Sequence, residues 1–233
     1  MGNGLDGGYG GAGGAAAGPA AGASAGASAK GALRRSLLGA RSASAPERRA
    51  AADARLAERV VEWIASNRDA GDSPLTIAAH VPVDAEPGAT SLAPDQLLDA
   101  LAEVDGMPPV RLLLPVCPPG PPAALQWAEY ARGPWRGSLQ PGKYGLSEPA
   151  GPRLGPTAIA DAGIVLVPGV AADRSGMRMG RGAGYYDRSL AHATGRVAVI
   201  LHPNEVVGAV PHDAHDLPVD AIITAEELIP PGA

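Results

Sequence analysis

Val110 to Val116, Gly163 to Val167 and Val197 to Leu201 are apolar with almost no interruption. A strand with one face in water alternates apolar and polar residues; a strand buried on both faces does not. Shorter runs of the same kind stand at Leu75 to Val81, ending at Pro82, and at Ala221 to Thr224. Between them lie segments with apolar residues at helical spacing. Strands of this type alternating with helices predict an α/β chain. The expected fold is a single domain of doubly wound type, with a mostly parallel sheet and helices on both faces. Ligands in such sheets bind beyond the carboxyl ends of the strands.

Helices are expected in three places before the glycine-rich stretch described below. Leu33, Leu37 and Leu38 repeat at helical spacing, with Arg34, Arg35 and Arg41 between them. Ser44-Ala45-Pro46-Glu47 has capping-box spacing, followed by a stripe of Leu56, Val60, Val61 and Ile64. Residues 94–104 place Leu97, Leu98 and Leu101 on one face. Leu125, Trp127 and Tyr130 read as a more irregular edge strand, and residues 132–157, rich in Gly and Pro, as a long ordered loop. Residues 1–28 are almost entirely Gly, Ala and Ser and offer no large side chain to bury. They are expected to be a disordered tail, with residues 29–233 as the catalytic domain and order beginning near Lys30; a partner-binding arm is the alternative.

Composition narrows the function classes. The net charge is −5 and the basic residues are dispersed, which argues against nucleic acid as a partner. No apolar run approaches the roughly 20 residues of a membrane helix. Cys117 is the single cysteine, which excludes an intramolecular disulfide and a cysteine-only zinc site. This fits a reducing cytoplasm, although secreted proteins without disulfides share the trait. The chain is expected to be cytoplasmic, and a monomer or weak homodimer.

The stretch richest in chemistry is Arg178-Met179-Gly180-Arg181-Gly182-Ala183-Gly184-Tyr185-Tyr186-Asp187-Arg188. It follows a strand and enters a helix. Its glycines free the backbone so that N–H groups can approach an anion. Arg178 and Arg181 can neutralise phosphate oxygens, and Asp187 can hold a metal against them. The glycine spacing matches neither a P-loop nor a dinucleotide fingerprint. Solvated arginines around a strand-to-helix turn would produce the same letters. His212-Asp213-Ala214-His215-Asp216 invites a transition-metal reading, but a polar loop leading to the strand at Ala221 reads as simply. Lys30 and Arg34, four apart on a first helical turn, can reach one anion or form a solvated basic face. Glu86-Pro87-Gly88 and Lys143 to Pro149 are ordinary turns if taken alone.

Together, in order, these motifs resemble the 5-formyltetrahydrofolate cyclo-ligase family, from Lys30 to about Leu228. The family's Lys-x-x-Leu-Arg start is met by Lys30, Leu33 and Arg34, and its Gly-x-x-Glu-Pro turn by Gly145, Glu148 and Pro149. Val-Pro-Gly-Val-Ala-Phe-Asp before a glycine-rich Tyr-Tyr-Asp-Arg motif is met by Val167 to Asp173 and Gly180 to Arg188. The ending Pro-x-x-x-His-Asp-x-x-Val-Asp is met by Pro211, His215, Asp216, Val219 and Asp220. Ala172 stands for the usual Phe, His80 for an expected Tyr or Phe, and Ser91 to Asp95 lengthen the loop after Glu86.

The resemblance implies an enzyme that converts 5-formyltetrahydrofolate to 5,10-methenyltetrahydrofolate in one-carbon metabolism, with ATP as co-substrate and Mg2+ as cofactor. ADP and phosphate are released. ATP would phosphorylate the formyl oxygen, N10 would attack the activated carbon, and phosphate would leave. Carried over by position, Lys30, Gly31, Ala32, Leu33 and Arg34, with Arg178, Met179, Gly180, Arg181, Gly182, Ala183, Gly184, Tyr185 and Tyr186, would bind ATP. Val81, Glu86, Tyr144 and the segment Arg181, Gly182, Ala183, Gly184 and Tyr185 would face the folate. Arg181 would serve the transferring phosphate, and Asp187 and Asp216 would hold the metal. A sugar-phosphate isomerase or acyl-CoA-type enzyme on a similar sheet, and a non-catalytic folate-binding relative, are the competing classes; ATP-dependent turnover of a reduced folate separates them.

Overall fold

The computed structural model describes residues 20–232 apart from 70, 72, 133–138, 214 and 215, with side chains from Ala29 onward. Its largest element is a seven-stranded sheet. Five apolar runs become its parallel strands: β1 (Leu75–Ala79), β2 (Val110–Val116), β6 (Ile164–Pro168), β9 (Arg196–Ile200) and β11 (Ala221–Ile223). The edges are antiparallel: β3 (Gln126–Tyr130) on β2 and β12 (Leu228–Ile229) on β11. The order is β12-β11-β9-β6-β1-β2-β3, so chain progression reverses between β1 and β6.

The two faces of the sheet are covered unequally. Helix α2 (Pro46–Asn67) and helix α3 (Pro94–Ala102) press Leu56, Val60, Trp63, Ile64, Leu97 and Leu101 onto one face, against Ile77, Leu112 and Ile164. Ala78, Leu113, Val165 and Val199 point the other way, as the two-residue period of a strand requires. That face is closed by Trp127, by a 3-10 turn at Pro156–Asp161 and by the short helix α4 (Tyr185–Leu190). Among the described residues, no helix is long and apolar enough to cross a membrane.

Helix α1 spans Ala20–Ala43, so it starts ten residues before the expected onset at Lys30, and Lys30 and Arg34 lie in mid-helix. Alanine is the best helix former, and Ala-rich sequence needs only a continuing helix to extend. Residues 1–19 of the expected tail lie outside the described residues. The capping box at Ser44 does not form: the N-cap of α2 is Ala45, without a side-chain cap. The Ser44 N–H instead donates to the Arg41 carbonyl at 3.2 Å, which places Ser44 in the link behind α1. The stretch 132–157 is more than a loop. It holds a hairpin of β4 (Leu139–Pro141) and β5 (Ser147–Pro149). A small sheet also brackets the glycine-rich segment, made of β7 (Ala171–Asp173), β8 (Arg178–Met179) and β10 (Val206–Val207). Strands this short carry too few residues for an alternation to be read.

Candidate active site

A cavity of about 450 Å³ opens at the carboxyl ends of β1, β2 and β6, where the strand order reverses. His80 and Val81 follow β1, Pro115 and Cys117 lie at the end of β2, and Pro168 and Gly169 end β6. A second wall is Arg178 with residues 180–187, and a third is the tip of the β4–β5 hairpin from Tyr144 to Glu148. The structure therefore gathers Val81, Glu86, Tyr144, Arg178, Arg181 and Asp187 around one space, from segments up to a hundred residues apart.

Other expected site residues stand elsewhere. Met179 packs its side chain into a core cluster with Leu37, Val170 and Val210, so only its backbone runs along the loop. The stretch from Lys30 to Leu33 is not on the cavity wall. Lys30 Nζ lies 3.2 Å from Asp213 and 3.7 Å from Asp216, which ties α1 to the loop before β11. Arg34 reaches the glycine loop by donating from Nε to the Gly180 carbonyl at 2.9 Å. Gly182 has φ +104, which side-chain-bearing residues rarely adopt, and a Cβ there would lie 3.3 Å from the Arg34 guanidinium carbon. Bare backbone at this point lets Arg34 lie against the loop. His215 lies outside the described residues.

Arg181 and Glu86 face each other at 2.9 Å, the arginine side chain half exposed and the carboxylate buried. Arg181, expected at both the phosphate and the folate, is thus in direct contact with Glu86, expected at the folate. Glu86 Oε2 also accepts the Val83 N–H at 3.1 Å. The loop carrying Glu86 is held from beneath by Asp53 of α2, which the sequence reading missed. Its Oδ1 accepts the Gly88 N–H at 2.8 Å, and its Oδ2 accepts the Thr90 N–H and hydroxyl at 3.0 and 2.8 Å. The available signal was a carboxylate on an otherwise apolar stripe: Asp53 precedes Leu56, Val60 and Ile64 at helical spacing, and all four are buried. Asp53→Ala strands three donors, so it is expected to lower stability by about 1–3 kcal/mol and to weaken folate binding through Glu86. Denaturant melts and a folate titration check this; an unchanged folate constant would leave the loop without its anchor role.

Three other titratable groups on the wall are shifted toward their neutral forms. Burial lowers the His80 pKa, with Glu86 acting against the shift, so the imidazole is unprotonated at neutral pH. Burial, then Glu86, pushes the Tyr186 phenol far up. His80 Nδ1 and the Tyr186 hydroxyl are both buried and have no hydrogen-bond partner among the described residues. Burial and Glu148 push the Cys117 thiol up, so it is not poised as a nucleophile. Behind the wall, burial raises Asp173, but bonds from Ser175, Val210 and Met177 outweigh it and hold the carboxyl below its ordinary value. The stabilisation from Asp173 is therefore present above the ordinary carboxylate range and is lost as pH falls through the depressed value.

Asp187 is half exposed on the cavity wall and paired with Arg178. Among the described residues, no group of three or more His, Cys, Asp or Glu side chains gathers as a metal cage. One carboxylate on the wall that the arginine-flanked glycine loop also lines fits magnesium, which usually takes one or two carboxylates and completes its shell with phosphate oxygens and water. Asp216 is engaged by Lys30 and does not line the cavity.

A mostly parallel sheet, a glycine-rich loop flanked by arginines and a cavity at the strand ends define an α/β enzyme that seats small molecules at its topological reversal. The family model for the 5-formyltetrahydrofolate cyclo-ligase family matches residues 26–225, and the chain belongs to that family. A 5-formyltetrahydrofolate cyclo-ligase of Mycolicibacterium smegmatis is 37% identical over 178 residues, covering 74% of this chain and 84% of the relative. The NMR structure of the Aquifex aeolicus 5,10-methenyltetrahydrofolate synthetase superposes with a TM-score of 0.65 at 29% identity, over 88% of this chain and 93% of that one. A 5,10-methenyltetrahydrofolate synthetase from Mycoplasma pneumoniae, 19% identical, shares the fold with a TM-score of 0.60, over 84% of this chain and 98% of that one.

Proposed function

We propose that this chain converts 5-formyltetrahydrofolate to 5,10-methenyltetrahydrofolate with consumption of ATP, in the cytoplasm, and that residues 29–233 act as one doubly wound catalytic domain. The observation that carries the reading is the single cavity in which the Arg178 to Asp187 loop meets Val81, Glu86 and Tyr144. The loop from Gly180 to Asp187 stands at a family motif, Val81, Glu86 and Tyr144 lie within the span matched to the family, and the chain is a family member.

In this reading the γ-phosphoryl group passes to the formyl oxygen. N10 then bonds to the activated formyl carbon, the C–O bond to phosphate breaks, and N10 gives up its proton. The formyl oxygen is a poor leaving group until it carries phosphate. Arg181 leaves Glu86 for the transferring phosphate, where its planar donors meet charge spread over the equatorial oxygens. Loop N–H groups from Gly180 to Gly184 supply further donors that need no reorganisation. Arg34 steadies the loop through the Gly180 carbonyl, and Lys30 would meet the remaining phosphates by leaving its pair with Asp213 and Asp216. Released from Arg181, Glu86 accepts N–H groups of the pterin, and Tyr144 and Val81 supply apolar contact. Asp187 would hold magnesium, which when bound neutralises phosphate charge; Asp216, off the cavity wall and paired with Lys30, would join it as second carboxylate on leaving that pair.

The test is absorbance of the methenyl product with ATP and magnesium both present and each omitted in turn. Product is expected only with both. Asp187→Asn is expected to cut turnover at least tenfold, because an amide is a poor ligand for a hard cation beside phosphate. Wild-type turnover by this variant at low magnesium would remove Asp187 from the metal site.

A further inference from the structure

Two buried carboxylates line the cavity, and they differ in how their charge is met. Glu86 is paired with Arg181 at 2.9 Å. Glu148, on β5, is 6% exposed and lines the same cavity, yet no Lys, Arg or His lies within ion-pair distance among the described residues. Its hydrogen-bond partner is Cys117, whose N–H donates to Oε1 at 2.9 Å and whose thiol lies beside the carboxylate. An ionised carboxylate can accept about four hydrogen bonds. Burying one without a cation is costly unless donors arrive from elsewhere.

The local structure holds this carboxylate in place. The hairpin turn closes through the Gly142 N–H to the Leu146 carbonyl at 2.7 Å. A Cβ on Gly142 would lie 2.3 Å from Glu148 Cδ, so the glycine is where the turn packs directly against the carboxyl group. The same turn carries Tyr144 at its tip, also on the cavity wall. A buried carboxylate without a cation at ion-pair distance among the described residues, on the same wall as an aromatic ring, suits a flat ligand edge with two parallel N–H donors.

We propose that Glu148 is the residue that anchors the pterin, accepting hydrogen bonds from the 2-amino group and N3–H of the folate's acyl-guanidine edge. The proposal rests on the folate reading above and refines it. Glu86, tied to Arg181, then reports on phosphate transfer as much as on pterin, while Glu148 sets the pterin's orientation and the preference for a 2-amino ring.

The experiment uses the full chain and Glu148→Gln, which keeps an acceptor for the Cys117 N–H. Titration with 5-formyltetrahydrofolate, and steady-state kinetics with each substrate varied, should give a folate Kd and KM raised about tenfold or more with the ATP KM unchanged. A second arm compares 5-formyltetrahydrofolate with an analogue carrying methyl in place of the 2-amino group. Wild type should bind the analogue about tenfold more weakly, and in E148Q that difference should vanish. A loss confined to adenine and ATP affinity, an unchanged folate constant, or an analogue penalty equal in both proteins overturns the proposal. Should E148Q fail to melt cooperatively, the wild-type arm decides: an analogue bound as tightly as its parent overturns it. Absence of ATP-dependent product from wild type would instead sink the folate reading itself.

Discussion

Arg181→Ala is expected to lower ATP-dependent turnover by about 10²- to 10³-fold, the usual loss when one preorganised donor to developing charge is removed. The side chain is half exposed, and its ion pair is with Glu86 on the cavity wall. Some stability should go with it, because Glu86 stays buried, so turnover is compared at a temperature where the variant remains folded. The loss should fall on the turnover number, because charge on the transferring phosphate grows in the transition state. The variant also leaves Glu86 buried without its cation, so folate binding should shift too. Arg181→Ala and Glu86→Ala should consequently be non-additive in a double-mutant cycle, as contacting residues are. Kinetics with ATP and folate varied separately check this; a wild-type turnover number in Arg181→Ala would remove the residue from the chemistry.

The second large effect concerns stability. Arg41 on α1 and Glu205, just before β10, form a buried pair, with Nε to Oε1 at 2.5 Å and Nη2 to Oε2 at 2.9 Å. Arg41 Nη2 also donates to the Gly169 carbonyl at 2.5 Å, and Glu205 Oε2 accepts the His202 N–H at 2.9 Å. The glutamate is fully buried and the arginine nearly so. Glu205→Ala is expected to destabilise the protein by about 3–5 kcal/mol, since it leaves a guanidinium without a counter-charge in the interior. Replacing both members, Arg41→Met with Glu205→Leu, should recover much of that loss. Gly169 lines the cavity, so the single variant should also impair activity at temperatures where it remains folded. Chemical denaturation of wild type, single and double variants measures the effect, and equal destabilisation by single and double changes would count against this account.

The contrast between Arg41 and Arg181 shows where sequence reading stops. Both arginines sit among small residues in the chain. Arg181 was legible because glycines flank it and a strand and helix bracket it. Arg41 reads as one more basic residue on an Arg-rich helix, and Glu205 as an unremarkable acid after a strand. Their pairing spans 164 positions, and no local pattern encodes it.

The apolar runs determined the parallel strands by themselves, because largely apolar runs of four to seven residues are too short for a buried helix and fit strands covered on both faces. Glycine spacing and the motif order determined the family and the residues of the loop. Tertiary structure alone decided which charges meet. It put Arg181 on Glu86, Lys30 on Asp213 and Asp216, Asp53 under the Glu86 loop, and left Glu148 buried with no cation at ion-pair distance among the described residues. The physical reason is range. Periodicity and turn chemistry act within a few residues, whereas ion pairing and desolvation depend on distances in space that only the packed sheet defines.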